Sequence, residues 1–406
     1  MRISYKEQLR VNLESIPVPH EVLTCSEIDC STHSAQISSY YAYLVDAMEA
    51  AALATIPRSR KKVLAGWSEL VAPYRKKSML WNKIWVDNGK PQNGWIKEIR
   101  QSSRREYRKA VNWVTRNQKQ ITAEKMASKF ERDRSKGFWE EVKKVRGKAY
   151  DCAGVVDEAV GEEAICDVFS SKYEELYSSV PYDANEMETL RHDVNADIIT
   201  ICSQGQCYSN HSFSVEDTRN ALSKVKLGKS DADPRISSDH FRHACPQLHV
   251  HLSLLLTSML RHTNAPRKVL GSILRPIPKN RRKSLSDSSN YRSVAISSVL
   301  LKLLDHAILK IHASVLKTSD LQFGFKSGHS TTQCTFVLNE VVRYNTHNGG
   351  STYVCLLDAS RAFDRVHYVK LFNMLRSRGL CPLLVKLMLN MYTLQTLSVK
   401  WQCKVS

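Results

Sequence analysis

The chain has 406 residues, with 59 Lys or Arg against 40 Asp or Glu and a formal net charge of +19; such an excess points to a polyanionic partner. At 42% apolar and 24% charged, the composition excludes a fully disordered chain and suits two or three domains with real cores. No uncharged apolar run approaches the roughly 18 residues of a membrane span, and Met1-Arg2-Ile3-Ser4-Tyr5-Lys6-Glu7 opens no secretory segment. The expected address is therefore intracellular, nucleus or cytoplasm, with no membrane among the partners.

Residues 1–34 show no strong period, whereas 35–56 are Ala-rich with helical spacing and end near Pro57. Residues 58–148 carry 26 Lys or Arg against 9 Asp or Glu, so nearly all the net charge sits there. Six of the seven tryptophans, Trp67, Trp81, Trp85, Trp95, Trp113 and Trp139, are interleaved with the basic runs Arg75-Lys76-Lys77 and Arg104-Arg105. Cationic side chains neutralise phosphates and aromatic faces stack on bases, so this segment is a candidate nucleic-acid surface. A basic helical pair whose tryptophans form its own core is the competing expectation. One helix can serve both, burying one face and offering the other.

From 149 to 213 the chain turns mildly acidic and polar, with breakers at Pro181-Tyr182-Asp183 and Ser203-Gln204-Gly205; a linker or domain boundary is expected there. Ser214 with Asp217 three residues on marks a helix start, and a second helix is expected at about 239–262. Ile273 to Pro278 reads as an edge strand because two prolines would break an inner one. The basic loop Lys279 to Lys283 and Asp287 to Asn290 lead into a short strand, Arg292 to Ile296. Helices at about 298–316 and 330–347 follow, the latter capped by Ser330. The apolar run Tyr353-Val354-Cys355-Leu356-Leu357 reads as a strand halted by Asp358; helices near 367–378 and 382–394 and a strand, Leu397 to Trp401, follow. No internal repeat is visible.

Eleven cysteines, an odd number with no Cys-x-x-Cys pair, indicate neither a disulfide framework nor a zinc knuckle. Cys25/Cys30 and Cys202/Cys207 are each separated by four residues and His211 follows the second pair, but no fourth ligand follows in spacing. Reduced, mostly buried thiols are expected. Gly228-Lys229-Ser230 looks like the end of a phosphate-binding loop, yet Ser223 stands where its first glycine belongs. An aspartate at the end of a buried strand is well placed to hold a divalent metal, although a carboxylate capping the next helix has the same appearance.

The order of four blocks goes further. Arg275-Pro276-Ile277-Pro278-Lys279, then Asn290-Tyr291-Arg292-Ser293-Val294-Ala295-Ile296, then Gln322-Phe323-Gly324-Phe325-Lys326-Ser327-Gly328-His329-Ser330-Thr331-Thr332, then Leu357-Asp358-Ala359-Ser360-Arg361-Ala362-Phe363-Asp364 closely resemble the reverse transcriptase of LINE-type retrotransposons, which lack long terminal repeats. The jockey-like branch fits best. The resemblance implies an α+β right-hand polymerase: a mostly helical, basic, Trp-rich connector at 1–148, a linker or boundary at 149–213, and the fingers with the N-terminal part of the palm at 214–406. The connector would be the one that follows an apurinic-type endonuclease domain in such elements.

Carried onto this chain, the resemblance makes Asp358 the first metal-binding aspartate, with the Ala359 carbonyl joining it on Mg2+. Two such ions about 4 Å apart would activate the primer 3′ hydroxyl and hold the deoxynucleoside triphosphate. Phe363 matches the steric gate against a ribose 2′ hydroxyl. Lys279 and Arg292 match the triphosphate-binding cations, with Arg281, Arg282 and Lys283 as competitors for the role of Lys279. Gln322, Gly324 and Lys326 belong to a template-contacting element, Gly324 and Gly328 allowing close backbone approach. The implied partners are an RNA template and a DNA primer.

Two departures stand out. Ser293 replaces a proline common after the arginine of the second block, a tolerable change. The family's aromatic-x-Asp-Asp hairpin has no counterpart, since no Asp-Asp pair occurs in the chain. A palm cut short there is expected to leave an open apolar strand edge and, lacking a two-metal site, no polymerase activity. The alternatives are a non-catalytic nucleic-acid binding protein using residues 58–148, through Arg75, Lys76, Lys77, Arg104 and Arg105, and a decayed relic that folds poorly. Arg58 to Lys62 and Lys279 to Lys283 also suit nuclear signals or phosphate contacts.

Overall fold

A computed structural model of the chain describes residues 4–25, 27, 30–56, 64–132, 137–139, 141–142, 153–178, 180–181, 183–359 and 361–406. The basic run Arg58 to Lys62, residues 143–148 of the expected connector, Tyr182 and Ser360 lie outside the described residues. Two compact units emerge: residues 57–152, and residues 1–56 together with 153–406.

The larger unit begins with α1 (Tyr5–Glu14), α2 (His20–Thr24) and α3 (Ser34–Thr55). Ser4 and Glu7 form a capping box at the start of α1, and Leu9 and Leu13 bury one turn apart. Those two leucines, each worth about 2 kcal/mol when buried, are its only fully buried positions. Two positions make too short a period to see, which is why a helix arises where none was expected. Ile37, Tyr40, Tyr41, Leu44, Val45, Met48 and Ala51 form the buried stripe of α3, matching the expected helix.

The unit at 57–152 contains α4 (Ala72–Asp87), α5 (Trp95–Arg116) and α6 (Gln118–Arg132). The expected basic helical pair is present as α4 and α5, but its core is aliphatic. Val71, Val114 and Ile121 are buried with Trp67 and Tyr107 packed against them, while Trp95, Trp113 and Trp139 are 63%, 49% and 53% exposed. The tryptophans therefore do not build the core as a group. Gly66 has φ +76°, and a Cβ there would lie 2.9 Å from Ile121 Cγ2, so only glycine fits the turn. Gln118 exchanges two hydrogen bonds with the Ala65 backbone, both at 3.1 Å.

The chain returns to the larger unit with strands β1 (Val155–Val156) and β2 (Ala159–Val160), then α7 (Glu162–Tyr177) and α8 (Ala184–Asp197). Where a linker was expected, these helices bury Ile165, Cys166, Phe169 and Tyr173, and Met187, Leu190 and Val194. The acidity that suggested a linker is partly structural: Arg376 donates to Asp197 at 2.7 Å and to Asp193 at 3.0 Å.

Next come α9 (Val215–Lys224), α10 (Ser238–Arg242), α11 (Pro246–Arg261), α12 (Arg267–Leu270), β3 (Gly271–Pro278), β4 (Tyr291–Ile296) and α13 (Val299–Ile311). The capping box at Ser214 and Asp217 opens α9 as expected. The single helix expected at 239–262 is two, because Pro246 lacks an N–H and holds Cys245 extended at φ −80°, ψ 161°. The remaining elements are α14 (Thr331–His347), α15 (Tyr368–Ser377), α16 (Pro382–Leu394), β5 (Thr396–Trp401) and β6 (Lys404–Val405). Ser330 caps α14 as expected. Leu248, Leu252, Leu255 and Leu256 of α11, Leu300, Leu303 and Leu304 of α13 and Leu384 and Leu387 of α16 share one core with α1 and α3.

The main sheet has strand order β4-β3-β5-β6, with β3 antiparallel to β4 and parallel to β5. The strand expected at an edge is thus an inner one. Its prolines are tolerated because β5 pairs only with Gly271 to Leu274, leaving Pro276 and Pro278 with β4 alone. The other correction is Tyr353 to Leu357. It is not a strand: Tyr353, Leu356 and Leu357 are 96%, 86% and 94% exposed in irregular backbone. Propensity makes no strand without a neighbour to take its backbone hydrogen bonds, and none of the described strands lies beside it.

Candidate active site and basic surface

Register decides what the β3–β4 hairpin presents. Ile277 opposes Arg292, Arg275 opposes Val294 and Ile273 opposes Ile296, so Arg275 and Arg292 share one face. The other face carries Leu274 and Tyr291, which pack with Val399 and Trp401 under Ile165, Cys166, Phe169 and Tyr173 of α7. With that side filled, the Arg292 side chain is left exposed and without a hydrogen bond or ion pair among the described residues. A cleft of about 310 Å3 on the same face is lined by Asp231, Ile236, Ile273, Arg275, Ile296 and Lys400.

The turn after β3 is tightly ordered. Asn290 accepts from Asn280 N at 3.1 Å and donates to the Asn280 and Ser284 carbonyls at 2.8 and 3.0 Å. Lys279 Nζ donates to the Ser289 carbonyl at 2.9 Å, which anchors that ammonium where Arg281, Arg282 and Lys283 have no such tie among the described residues. Lys172 of α7 arrives beside it, donating to Ser288 Oγ at 2.7 Å. Burial pushes the Lys172 ammonium below its usual range, and the charges of Lys279 and Arg361 push the same way while Asp157 and Asp287 oppose them. Lys172 and Lys279 thus both bind this turn, with Arg361 within electrostatic reach of Lys172. Lys172 was not foreseen, because it sits more than a hundred residues upstream in a stretch with no motif.

The block from Gln322 to Thr332 is exposed except for the half-buried Phe323 and Lys326. Gln322 Nε2 donates to the Gly324 carbonyl at 2.9 Å, and Lys326 Nζ lies 3.4 Å from Asp320 Oδ1. Gly328 has φ +76° and Gly324 faces open space. Phe325 meets Phe363 edge-on with centroids 5.9 Å apart, so the third and fourth blocks touch through two largely exposed rings. Asp358 and Ala359 are exposed in the irregular segment that follows Leu357.

Residues 277–405 match the family described as Reverse transcriptase (RNA-dependent DNA polymerase). This stretch is a reverse transcriptase domain. It runs from the last two residues of β3 through β6 and includes Lys279, Arg292, Asp358 and Phe363. No curated protein matches the chain. Template and primer binding is what membership of this family implies for the domain.

Within the reverse transcriptase domain, the donor set for magnesium is not assembled. Asp358 belongs to none of the groups of three or more His, Cys, Asp or Glu donors among the described residues. One exposed carboxylate and a carbonyl leave magnesium held by water, so the residues present do not fit a bound ion and support no metal-dependent step.

Upstream of the domain, α4 and α5 form the basic surface. Arg75, Lys76, Lys77, Arg104 and Arg105 are all exposed. Lys77 is paired with Glu106 at 2.9 Å. Arg100 lies 3.8 Å over the Trp85 ring, a cation–π contact that leaves Trp95 and Trp113 as the more open rings. No described helix is long and apolar enough to cross a membrane.

Proposed function

We propose that the chain is the fingers and first part of the palm of an RNA-directed DNA polymerase carried by a LINE-type, jockey-like mobile element. The reverse transcriptase match over 277–405 carries this reading. In it, Lys279 and Arg292 neutralise an incoming triphosphate, with Arg292 suited to bidentate phosphate contact. Phe363 excludes the ribose 2′ hydroxyl and Gln322, Gly324 and Lys326 meet the template, whereas Asp358 and the Ala359 carbonyl would hold magnesium only with further carboxylates beside them. The 406 residues hold no adjacent aspartates, so by themselves they do not extend a primer. Two assays test this with the full chain. Photolabelling by an azido-deoxynucleoside triphosphate should drop severalfold in Lys279→Ala and Arg292→Ala, and equal labelling would remove the triphosphate role. Primer extension on an RNA template should be absent; extension abolished by Asp358→Ala would overturn the inactivity.

A second reading rests on the exposed cations of α4 and α5 together with Trp95 and Trp113: a non-catalytic nucleic-acid surface. Its affinity should fall with salt at a log-log slope of roughly −0.7 to −0.9 per phosphate contacted. Replacing Arg104 and Arg105 together by alanine should flatten that slope by about 1.5. An unchanged slope in the double variant removes these arginines from the contact.

A further inference from the structure

Three thiols and an imidazole meet away from the polymerase-like residues. The ligand atoms of Cys202, Cys207, His211 and Cys381 all lie within 4.8 Å of one another. Cys202 closes the π-helical turn that continues α8, Cys207 and His211 lie on the loop before α9, and Cys381 is the N-cap of α16. All belong to the larger unit. We propose that these four residues bind a structural zinc ion that fastens the loop at 203–213 to the start of α16.

The chemistry of the set favours zinc over harder divalent ions, since thiolates and imidazole are soft to borderline ligands and zinc takes four of them tetrahedrally. Bonds of about 2.3 Å place sulfurs in such a tetrahedron roughly 3.8 Å apart, so the observed spread closes by about an ångström of side-chain movement. The three cysteines are free thiols, with Cys202 and Cys381 buried and Cys207 half-buried. Among the described residues His211 Nε2 is buried with no hydrogen-bond partner, an acceptor or ligand position left open beside the three thiols. His211 also holds φ +53°, a conformation rare outside glycine that persists only when the surroundings fix it.

An outer layer is already in place. Tyr208, between two of the ligands in sequence, shares a 2.6 Å hydrogen bond with His312 Nδ1 and accepts from the Cys381 N–H at 3.3 Å. These contacts orient the loop and the α16 terminus toward each other, as supporting groups do around structural metal sites. Cys381 lies far along the chain from the other three, so no zinc-finger spacing announces the site.

The test is metal analysis of the full chain purified under reducing conditions and supplied with one equivalent of zinc. Wild type should retain one more zinc per chain than Cys207→Ser or His211→Ala. These half-buried loop positions are chosen because Cys381 is 1% exposed. Cys334→Ser, at an exposed cysteine elsewhere, should retain the full amount. Cobalt in place of zinc should give thiolate-to-metal charge-transfer bands and the d–d spectrum of a tetrahedral site, lost in Cys207→Ser. Equal zinc in wild type and both loop variants, no zinc in wild type, or a disulfide joining Cys202 to Cys207 in the reduced preparation would each overturn the proposal.

Discussion

Phe169→Ala tests whether residues 153–178 are a structural part of the larger unit. Phe169 is fully buried, with centroids 5.0 Å from Tyr291, 5.2 Å from Trp401 and 5.9 Å from Tyr173. Truncating a buried phenylalanine costs about 3–5 kcal/mol, and three lost aromatic contacts place this site in the upper part of that range. A total stability of about 5–15 kcal/mol makes that a large share. At an m value of about 3 kcal/mol per molar urea, the midpoint falls by more than about 1 M. Equilibrium urea unfolding followed by circular dichroism reads this, and hydrogen exchange of peptides from β3, β4 and β5 localises it. Glu174→Ala, on the exposed side of the same helix, should stay within about 0.5 kcal/mol. A Phe169→Ala loss below about 1 kcal/mol, or exchange unchanged in the sheet, would refute the packing of α7 on the sheet.

Gly66→Ala should destabilise the 57–152 unit by about 2–4 kcal/mol, from the left-handed backbone and the approach to Ile121; a thermal melt of the full chain with an unchanged first transition would contradict it. Ser214→Ala removes the Oγ that accepts from Asp217 N at 3.0 Å and should cost about 1 kcal/mol, read by denaturant midpoint. The Arg235 guanidinium beside Asp233 holds that carboxyl below its ordinary 3.8. The resulting stabilisation is fully present above the unfolded pKa and is lost as pH falls through the folded one. The gap between wild type and Asp233→Asn, on the order of 1 kcal/mol for so partly exposed a pair, should therefore begin to narrow once pH falls below about 4; a gap that stays constant as the pH is lowered from there to the acid limit of folding would count against the pairing.

The sequence was informative where a signal is local. Capping boxes at Ser214 and Ser330, the Ala-rich period of α3 and the ordered blocks around β3 and β4 all act within a few residues, and the structure carries them. It was silent where partners are remote. The inner position of β3 depends on β5, more than a hundred residues later, pairing with only four of its residues. Lys172 joins Lys279 through a helix with no motif, and Cys381 completes a donor set whose other members are clustered near 202–211. Polar, mildly acidic composition at 149–213 suggested a linker because it averages over both faces of α7 and α8 and hides their buried residues. Around Asp358 the block order was readable, but a strand also needs a neighbour, and composition says nothing about neighbours.

The open segment at 351–359 has a practical outcome. Tyr353, Leu356 and Leu357 are large, uncharged and more than four-fifths exposed, on backbone with no regular hydrogen bonding. That combination is what a digestive enzyme's cleft requires, an extended stretch with a bulky residue to fill the specificity pocket. Brief chymotrypsin treatment should therefore nick the folded chain here first, well before the leucine-rich helices α11 and α13 yield. The same stretch is β-prone and free of proline, so at high concentration it will recruit its own copies. Soluble yield should rise when Leu356 and Leu357 are replaced by lysine, at no measurable change in melting temperature.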